Sequence, residues 1–215
     1  MTMLNIAVTP ERVLIATDSM VGPAAYRKKA GAIVERSKLV ALAGGVVLAG
    51  RGTLSHMHRV YQMLLRSPTD FDDAVTQLPS VLYLTGRHLE SNARAVGLSA
   101  PAGQEIAVAG WSRWRKRMAA VVFEQVSRRD GYRQLNFGSE PTEGRVGHNV
   151  WHAEPGGIPF PRTLDDMVTL SLHQHRTVTE RFPSSPEIGG RLLVAEVTRH
   201  GVTLQERADL GIPTN

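Results

Sequence analysis

The residue best suited to chemistry near the start of the sequence is Thr2, a small nucleophile directly behind Met1. It begins an apolar run that ends at a turn, and a second run then leads to Asp18 and Ser19. A threonine with a free α-amine can use that amine as the general base for attack by its hydroxyl on a carbonyl carbon. Such a nucleophile also needs a nearby cation, a carboxylate that holds the cation, and a backbone N–H directed at the developing oxyanion. The rest of the fold must bring these three groups close to Thr2.

The first two strands predict how a carboxylate reaches Thr2. The runs TMLNIAV and RVLIATD flank the turn TPE, where Pro10 presets φ and lacks the N–H that a central strand would need. If Val8 pairs with Arg12 across this loop, Thr2 lies opposite Asp18, at roughly 5 Å between their Cβ atoms. The first hairpin therefore predicts that the nucleophile faces a carboxylate.

A second hairpin predicts which residue lies beside Lys38. In KLVALAGGVVLAG, two consecutive glycines give the turn access to positive φ. Pairing Leu42 with Val46 sets Lys38 opposite Gly50. Both hairpins are apolar on both faces, which indicates a sheet covered on both sides.

The remaining pattern predicts the fold class. Apolar residues at three- and four-residue spacing predict helices over residues 53 to about 65, 70 to about 96, and 164 to 182, with Pro79 kinking or dividing the second. Strands are predicted at EIAVAGW, RMAAVVFEQV, YRQLNFG and RLLVAEVTRHGVTLQER, and GRVGHNVWHAEPGGIPFPR is predicted to be an irregular connection. Strands in runs and helices in runs indicate a layered α+β sandwich with mainly antiparallel sheets, formed by residues 1–215 as one domain.

Composition excludes several classes of site. The chain has no cysteine, which excludes a disulfide framework, a cysteine zinc site and a thiol nucleophile. It shows neither a signal-peptide pattern nor a long apolar run, so we expect a cytoplasmic protein without a membrane partner. The net charge of +5 is spread along the chain and gives little weight to nucleic-acid binding.

Two further motifs have simple structural interpretations. The histidine pairs His56/His58 and His173/His175 are two residues apart on predicted helices, so each pair points to different faces and favours no metal site. His148 and His152 are four apart, but they lie in an irregular stretch without an acidic partner at a recognised offset. WSRWRKR mixes aromatic and basic residues as single-strand binders do, yet its position between two β runs favours a solvated hairpin turn.

Four stretches together resemble a known family. They are the N-terminal Thr2, the ATDS that ends the second run, the KLVAL that begins at Lys38, and the AGRG that contains Gly50. In this order they resemble the proteasome β-subunit and HslV family of N-terminal-nucleophile (Ntn) hydrolases. The C-terminal IGGRLLVAEVTRHGV is also similar to the closing strands of that family.

The resemblance implies a four-layer αββα sandwich and assigns the parts of a site. Thr2 is the expected nucleophile, Lys38 the cation, Asp18 the carboxylate that holds it, and the Gly50 N–H the oxyanion donor. It further implies an N-terminal threonine peptidase or amidohydrolase that assembles into a homo-oligomeric ring, cleaves peptides without a cofactor or metal, and can work with an ATPase partner.

Two features leave a second function open. The family pattern D-x-x-S-G-G corresponds to SPEIGG in this chain, with Ser185 and Ile188 at the Asp and Ser positions. Catalysis also requires removal of Met1, because a retained Met1 leaves Thr2 without a free amine. The alternative is therefore a divergent, inactive Ntn-fold subunit of a larger assembly, such as a phage tail or virion, with a virion-associated location.

Overall fold

The structure is a computed structural model whose description covers most of the chain. Thr2 and Ser185 lie outside the described residues. The role of Thr2 as the nucleophile therefore stays a prediction. The described residues are 3–21, 34–65, 68–100, 103–125, 131–138, 143–146, 149–151, 159–181 and 188–211.

Within these residues the chain alternates groups of strands with helices. The helices are α1 (Leu54–Leu64), α2 (Phe71–Ala95) and α3 (Leu164–Arg181). The strands are β1 (Leu4–Val8), β2 (Arg12–Asp18), β3 (Met20–Val21), β4 (Val34–Glu35), β5 (Leu39–Leu42), β6 (Val46–Arg51), β7 (Gln104–Ser112), β8 (Arg117–Gln125), β9 (Arg133–Phe137), β10 (Glu143–Val146), β11 (Asn149–Trp151), β12 (Gly190–Thr198) and β13 (Gly201–Gly211).

The strands form two large sheets and one small one. The first sheet has the order β11-β10-β1-β2-β12-β13, the second has the order β5-β6-β7-β8-β9, and β3 pairs with β4. Every pairing between described strands is antiparallel. The predicted α+β class with mainly antiparallel sheets is confirmed.

Three apolar cores separate the sheets and helices. Along β2, Val13 and Ile15 belong to a core shared by the two large sheets. The alternate residues Leu14 and Ala16 belong to a core that includes residues of α3. A third core joins the five-stranded sheet to α1 and α2. The side chains of β2 therefore pack on both faces of its sheet, as the two-sided apolar pattern predicts.

The predicted register of the first hairpin is wrong by one residue. Val8 pairs with Val13, and Leu4 pairs with Thr17. The cause is the turn: Thr9, and not Val8, meets Arg12, and the Thr9 N–H donates to the Arg12 carbonyl at 2.9 Å. The shift removes the basis for the predicted pairing of Thr2 with Asp18, because Leu4 pairs with Thr17 and the Asp18 carboxylate accepts the Met3 N–H.

The predicted register of the second hairpin is confirmed. Leu42 pairs with Val46 and Leu39 with Ala49, and the Gly50 N–H donates to the Lys38 carbonyl at 3.1 Å. The tight turn requires positive φ at both central glycines, which are at 72° and 71°. These two glycines therefore set the register that places Lys38 beside Gly50.

The three helices follow the predicted boundaries closely. Pro79 lies inside α2 without dividing it. Asp70 caps the start of α2 by accepting the Asp73 N–H at 3.0 Å. None of the described helices is both long and apolar enough to span a membrane.

The WSRWRKR segment is the hairpin turn that the pattern predicts. It joins β7 to β8, and Trp114 at its tip is 74% exposed. The carboxylate of Asp72 on α2 holds this turn by accepting from the Ser112 hydroxyl at 2.8 Å and the Arg113 N–H at 2.7 Å. These contacts give the segment a structural role, which is to hold the β7–β8 turn against α2.

The sequence pattern missed the short strands. β10 and β11 lie in the stretch predicted to be an irregular connection, and they extend the first sheet beyond β1. At Gly144 a Cβ atom would lie 2.4 Å from the Ile6 carbonyl oxygen, so glycine permits the close approach of β10 to β1. Strands of three or four residues show too little alternation of apolar and polar residues to be recognised in a sequence. Such strands form through their pairing with neighbouring strands.

The two turn glycines of the second hairpin give a matched test of the fold. At Gly45, a Cβ atom would meet nothing within 4 Å, so Gly45→Ala is expected to cost only the left-handed backbone strain of about 1–2 kcal/mol. At Gly44, a Cβ atom would lie 2.1 Å from the Thr69 carbonyl oxygen. We expect Gly44→Ala to lower the free energy of unfolding by about 2 kcal/mol more than Gly45→Ala, measured by urea denaturation. Equal losses would contradict this packing.

Candidate functional site

An ion pair between Asp18 and Lys38 forms the centre of the site. Asp18 ends β2, and Lys38 immediately precedes β5, so the pair joins the two large sheets. The Lys38 Nζ lies 3.0 Å from Asp18 Oδ1, and the two side chains are 2% and 0% exposed. The same Oδ1 accepts the Met3 N–H at 2.8 Å, and Oδ2 accepts the Gly189 N–H at 3.4 Å. The carboxylate thus connects the start of β1, the start of β5 and the residue before β12.

Burial sets the electrostatics of this pair. Removing both charges from water costs several kcal/mol per ion, and mutual attraction offsets that cost only when hydrogen bonds also satisfy the groups. Burial lowers the pKa of Lys38, and the Asp18 carboxylate opposes that shift. Burial likewise raises the pKa of Asp18, against the opposing effects of Lys38 and the Met3 and Gly189 N–H groups. Each partner therefore opposes the pKa shift that burial imposes on the other.

Gly50 lies beside the main chain of Lys38 and is closely packed under α1. A Cβ atom at Gly50 would lie 2.5 Å from Met57 Sδ and 2.8 Å from the Tyr61 hydroxyl. Burial raises the pKa of Tyr61, which keeps its phenol protonated, and the hydroxyl donates to the Lys38 carbonyl at 2.9 Å. That carbonyl also accepts the Gly50 N–H. The N–H expected to bind an oxyanion is thus engaged within the hairpin, and its catalytic role stays a prediction.

The closing Gly-Gly segment contacts the same region through Ser19. The Ser19 hydroxyl accepts the Arg191 N–H at 2.7 Å. Gly190 has φ of +74°, and a Cβ atom there would lie 2.5 Å from the Ser19 hydroxyl oxygen. Gly189 supplies the N–H to Asp18 described above. Sequence reasoning recognised the IGG pattern but gave its glycines no role; their contacts with Asp18 and Ser19 supply one.

Helix α3 adds two residues near the site that sequence reasoning missed. The Asn5 amide donates to the buried Ser171 hydroxyl at 3.2 Å, which fixes β1 against α3. Burial lowers the pKa of the half-buried His175, while the charge of Asp18 and the Ile188 carbonyl oppose the shift. His175 is therefore close enough to respond to the charge of Asp18. No spacing signal in the sequence connects α3 with Asp18.

Three of the four predicted site residues come together, and the fourth lies outside the described residues. Asp18 and Lys38 are in contact, and Gly50 contacts Lys38 through the main chain. Thr2 is not described, but the nitrogen that Asp18 binds belongs to Met3, the next residue in the chain. Within the described part of the chain, no group of three or more His, Asp or Glu side chains could hold a metal ion.

No protein-family model matches the chain, and no curated protein matches its sequence. The geometry of the site is therefore the basis for any functional proposal.

The buried pair makes a clear prediction for stability. Lys38→Met removes the cation but leaves the Asp18 carboxylate buried, so we expect the free energy of unfolding to fall by roughly 3–5 kcal/mol. Adding Asp18→Asn removes the uncompensated charge and should restore much of that loss. Urea denaturation of the wild type, the single variant and the double variant measures both changes.

An exposed ion pair provides the control. Glu206 lies 2.9 Å from Arg191, and the two side chains are about half exposed. Glu206→Gln should change the unfolding free energy by less than about 1 kcal/mol, because water screens such pairs. If Lys38→Met lowered the free energy of unfolding by no more than Glu206→Gln does, the result would contradict a buried ion pair between Asp18 and Lys38.

Proposed function

We propose that the chain is a proteasome- and HslV-like Ntn-hydrolase-fold subunit that acts as an N-terminal threonine peptidase or amidohydrolase. The observation that carries this proposal is the buried Asp18–Lys38 pair whose carboxylate also binds the Met3 N–H. Thr2 is joined to that nitrogen by a peptide bond. A desolvated cation held next to the start of β1 is what an N-terminal nucleophile requires.

The fold supports the proposal in its coarse features. The two antiparallel sheets share an apolar core, and their other faces pack against α1 and α2 or against α3. We assign this arrangement to the four-layer αββα sandwich of Ntn hydrolases. Strand β1 lies between β10 and β2 in the first sheet, so the start of the chain leads into the interior of that sheet.

The proposed reaction is acyl transfer through Thr2. With Met1 removed, the Thr2 hydroxyl oxygen attacks the carbonyl carbon of an amide, and its proton passes to the Thr2 α-amine. The tetrahedral intermediate collapses, the C–N bond breaks, and the departing amine takes the proton. Water then loses a proton to the α-amine and attacks the ester, which releases the acid and restores the hydroxyl.

The buried pair supplies the electrostatics of this reaction. A positive charge on Lys38 stabilises the alkoxide that develops on Thr2, and Asp18 holds that charge in place. Gly50 is assigned to the oxyanion, and its N–H must be shared between the Lys38 carbonyl and the reacting oxygen. The proposed enzyme is a homo-oligomer that acts on peptides. The resemblance to the proteasome and HslV family extends the proposal to an ATPase partner.

A second candidate is an inactive structural subunit of a larger assembly. Two observations favour it: both carboxylate oxygens of Asp18 already accept hydrogen bonds, and the Gly50 N–H is engaged within its hairpin. In this alternative the ion pair only joins the two sheets. The two functions differ in whether Thr2 reacts.

Substitution of Thr2 tests the catalytic proposal. The full chain with Met1 removed should hydrolyse members of a pool of fluorogenic peptide amides. Thr2→Ala should abolish turnover because no hydroxyl remains, whereas Thr2→Ser should retain a measurable part of it. Initial rates on the same substrate pool provide the measurement.

The control is Thr203→Ala, which removes a hydroxyl from an exposed position of β13 and should leave the rate unchanged. Hydrolysis that survives Thr2→Ala would overturn the assignment of the nucleophile. A wild-type chain with a free Thr2 amine that hydrolyses nothing in the pool, while Thr2→Ala folds and assembles normally, would favour the structural subunit.

A further inference from the structure

A polar cleft between α1 and α2 lies apart from the Asp18–Lys38 pair. It has a volume of about 380 Å³, within the rough range of 300–1,000 Å³ that small-molecule sites occupy. Its walls include His58, Arg59 and Gln62 from α1, and His88 and Asn92 from α2. Tyr61 and Met57, which contact Gly50, are not among the lining residues. The same helix thus presents one face to the candidate active site and another to this cleft.

His56 is a buried polar residue in the wall of the cleft. It is 2% exposed, and its Nε2 lies 2.8 Å from the Tyr132 hydroxyl. Among the described residues its Nδ1 has no hydrogen-bond partner. Burial lowers the pKa of His56; the Thr85 carbonyl opposes this shift, but it makes no hydrogen bond of ordinary geometry with Nδ1. An unsatisfied buried polar atom is costly. Nδ1 is also screened from solvent, so a ligand in the cleft can satisfy it only if the side chains at that wall move on binding.

The state of the Tyr132 hydroxyl decides what Nδ1 can offer. Burial raises the pKa of Tyr132, so the phenol keeps its proton. We assign that proton to the hydrogen bond with His56 Nε2, which leaves the proton of the neutral ring on Nδ1. The Thr85 carbonyl near the ring favours the same assignment. His56 therefore carries an N–H donor just beneath the wall of the cleft.

The charges of the lining residues identify the kind of ligand. Arg59 is positive, His58 and His88 can donate through ring N–H groups, and Gln62 and Asn92 add amide donors. Among the described residues, no Asp or Glu lines the cleft. Such a set disfavours a cation and complements an anion with several acceptor oxygens.

We propose that the α1–α2 cleft is a second binding site, which takes a small molecule that carries a phosphate group. Arg59 binds two phosphate oxygens through its guanidinium, and donors of His56 and the flanking side chains bind the others. A carboxylate has only two oxygens and would leave part of this donor set unused. Leu89 provides an apolar surface for the organic part of the ligand. The site is independent of Thr2 and of the proposed hydrolysis.

Calorimetric titration of the full chain with three probes tests the site. The probes are inorganic phosphate, phenyl phosphate and benzoate, the last of which replaces the phosphate of phenyl phosphate by a carboxylate. We expect phenyl phosphate to bind more tightly than benzoate, and more tightly than inorganic phosphate if Leu89 contacts the ring. Equal or tighter binding of benzoate would overturn the phosphate assignment, and heat from no probe would overturn the site.

Arg59→Gln and Arg87→Gln form a matched pair of variants. Both remove one positive charge from this helix pair, but Arg87 does not line the cleft. Arg59→Gln should weaken phenyl phosphate binding by roughly ten- to a hundredfold, because hydrogen bonds to charged groups are lost. Arg87→Gln should leave it within about twofold of the wild type. Equal weakening by both variants would mean that general charge, and no defined site, attracts the probe.

A measurement on the wild type keeps the test valid if Arg59→Gln does not fold. The ¹⁵N NMR signal of His56 Nδ1 should shift on addition of phenyl phosphate, with saturation at the same concentration as the calorimetric signal. The signal of His200, in the turn between β12 and β13, is the internal control and should not move. Binding heat with no change at His56 would contradict the role given to this residue.

Discussion

Two opposite charges, on Asp18 and Lys38, are buried where the two large sheets meet, and the surrounding structure must satisfy both. The Asp18 carboxylate is satisfied because it accepts hydrogen bonds from the main-chain N–H groups of Met3 and Gly189 and from the ammonium of Lys38. The beginning of β1 and the residue before β12 are therefore held by the same carboxylate. Loss of either charge leaves the other without compensation, which makes this contact far more demanding than an exposed ion pair.

The second hairpin and α1 fix the position of the Lys38 main chain. The Lys38 carbonyl accepts from the Gly50 N–H and the Tyr61 hydroxyl. A Cβ atom at position 50 would lie within 3 Å of Met57 and Tyr61 of α1, so a larger residue there would displace these side chains. The arrangement is compatible with two functions, because a pair that holds two sheets together can also polarise a nucleophile at the start of β1. The distinction between enzyme and structural subunit thus depends on Thr2, and the fold is common to both.

The sequence predicted those parts of the structure that local patterns determine. The helices follow from apolar spacing, and the register of the second hairpin follows from its two turn glycines. The first register was missed by one residue because Thr9, and not Val8, meets Arg12 at the turn. The hydrogen bond from Gly189 to Asp18 and the effect of Asp18 on the pKa of His175 could not be predicted, since both residues lie more than 150 residues from Asp18 in the chain. Tertiary packing determines such contacts, and short-range spacing carries no signal for them.

The first residue of the protein purified from its native source tests the central claim most directly. Thr2 can use its α-amine as a base only when nothing precedes it. Intact-mass measurement with N-terminal sequencing should find Thr2 as the first residue, which places a free amine next to the nitrogen that Asp18 binds. Native protein that retains Met1, or any other residue before Thr2, would contradict catalysis by an N-terminal threonine and leave the Asp18–Lys38 pair a structural role.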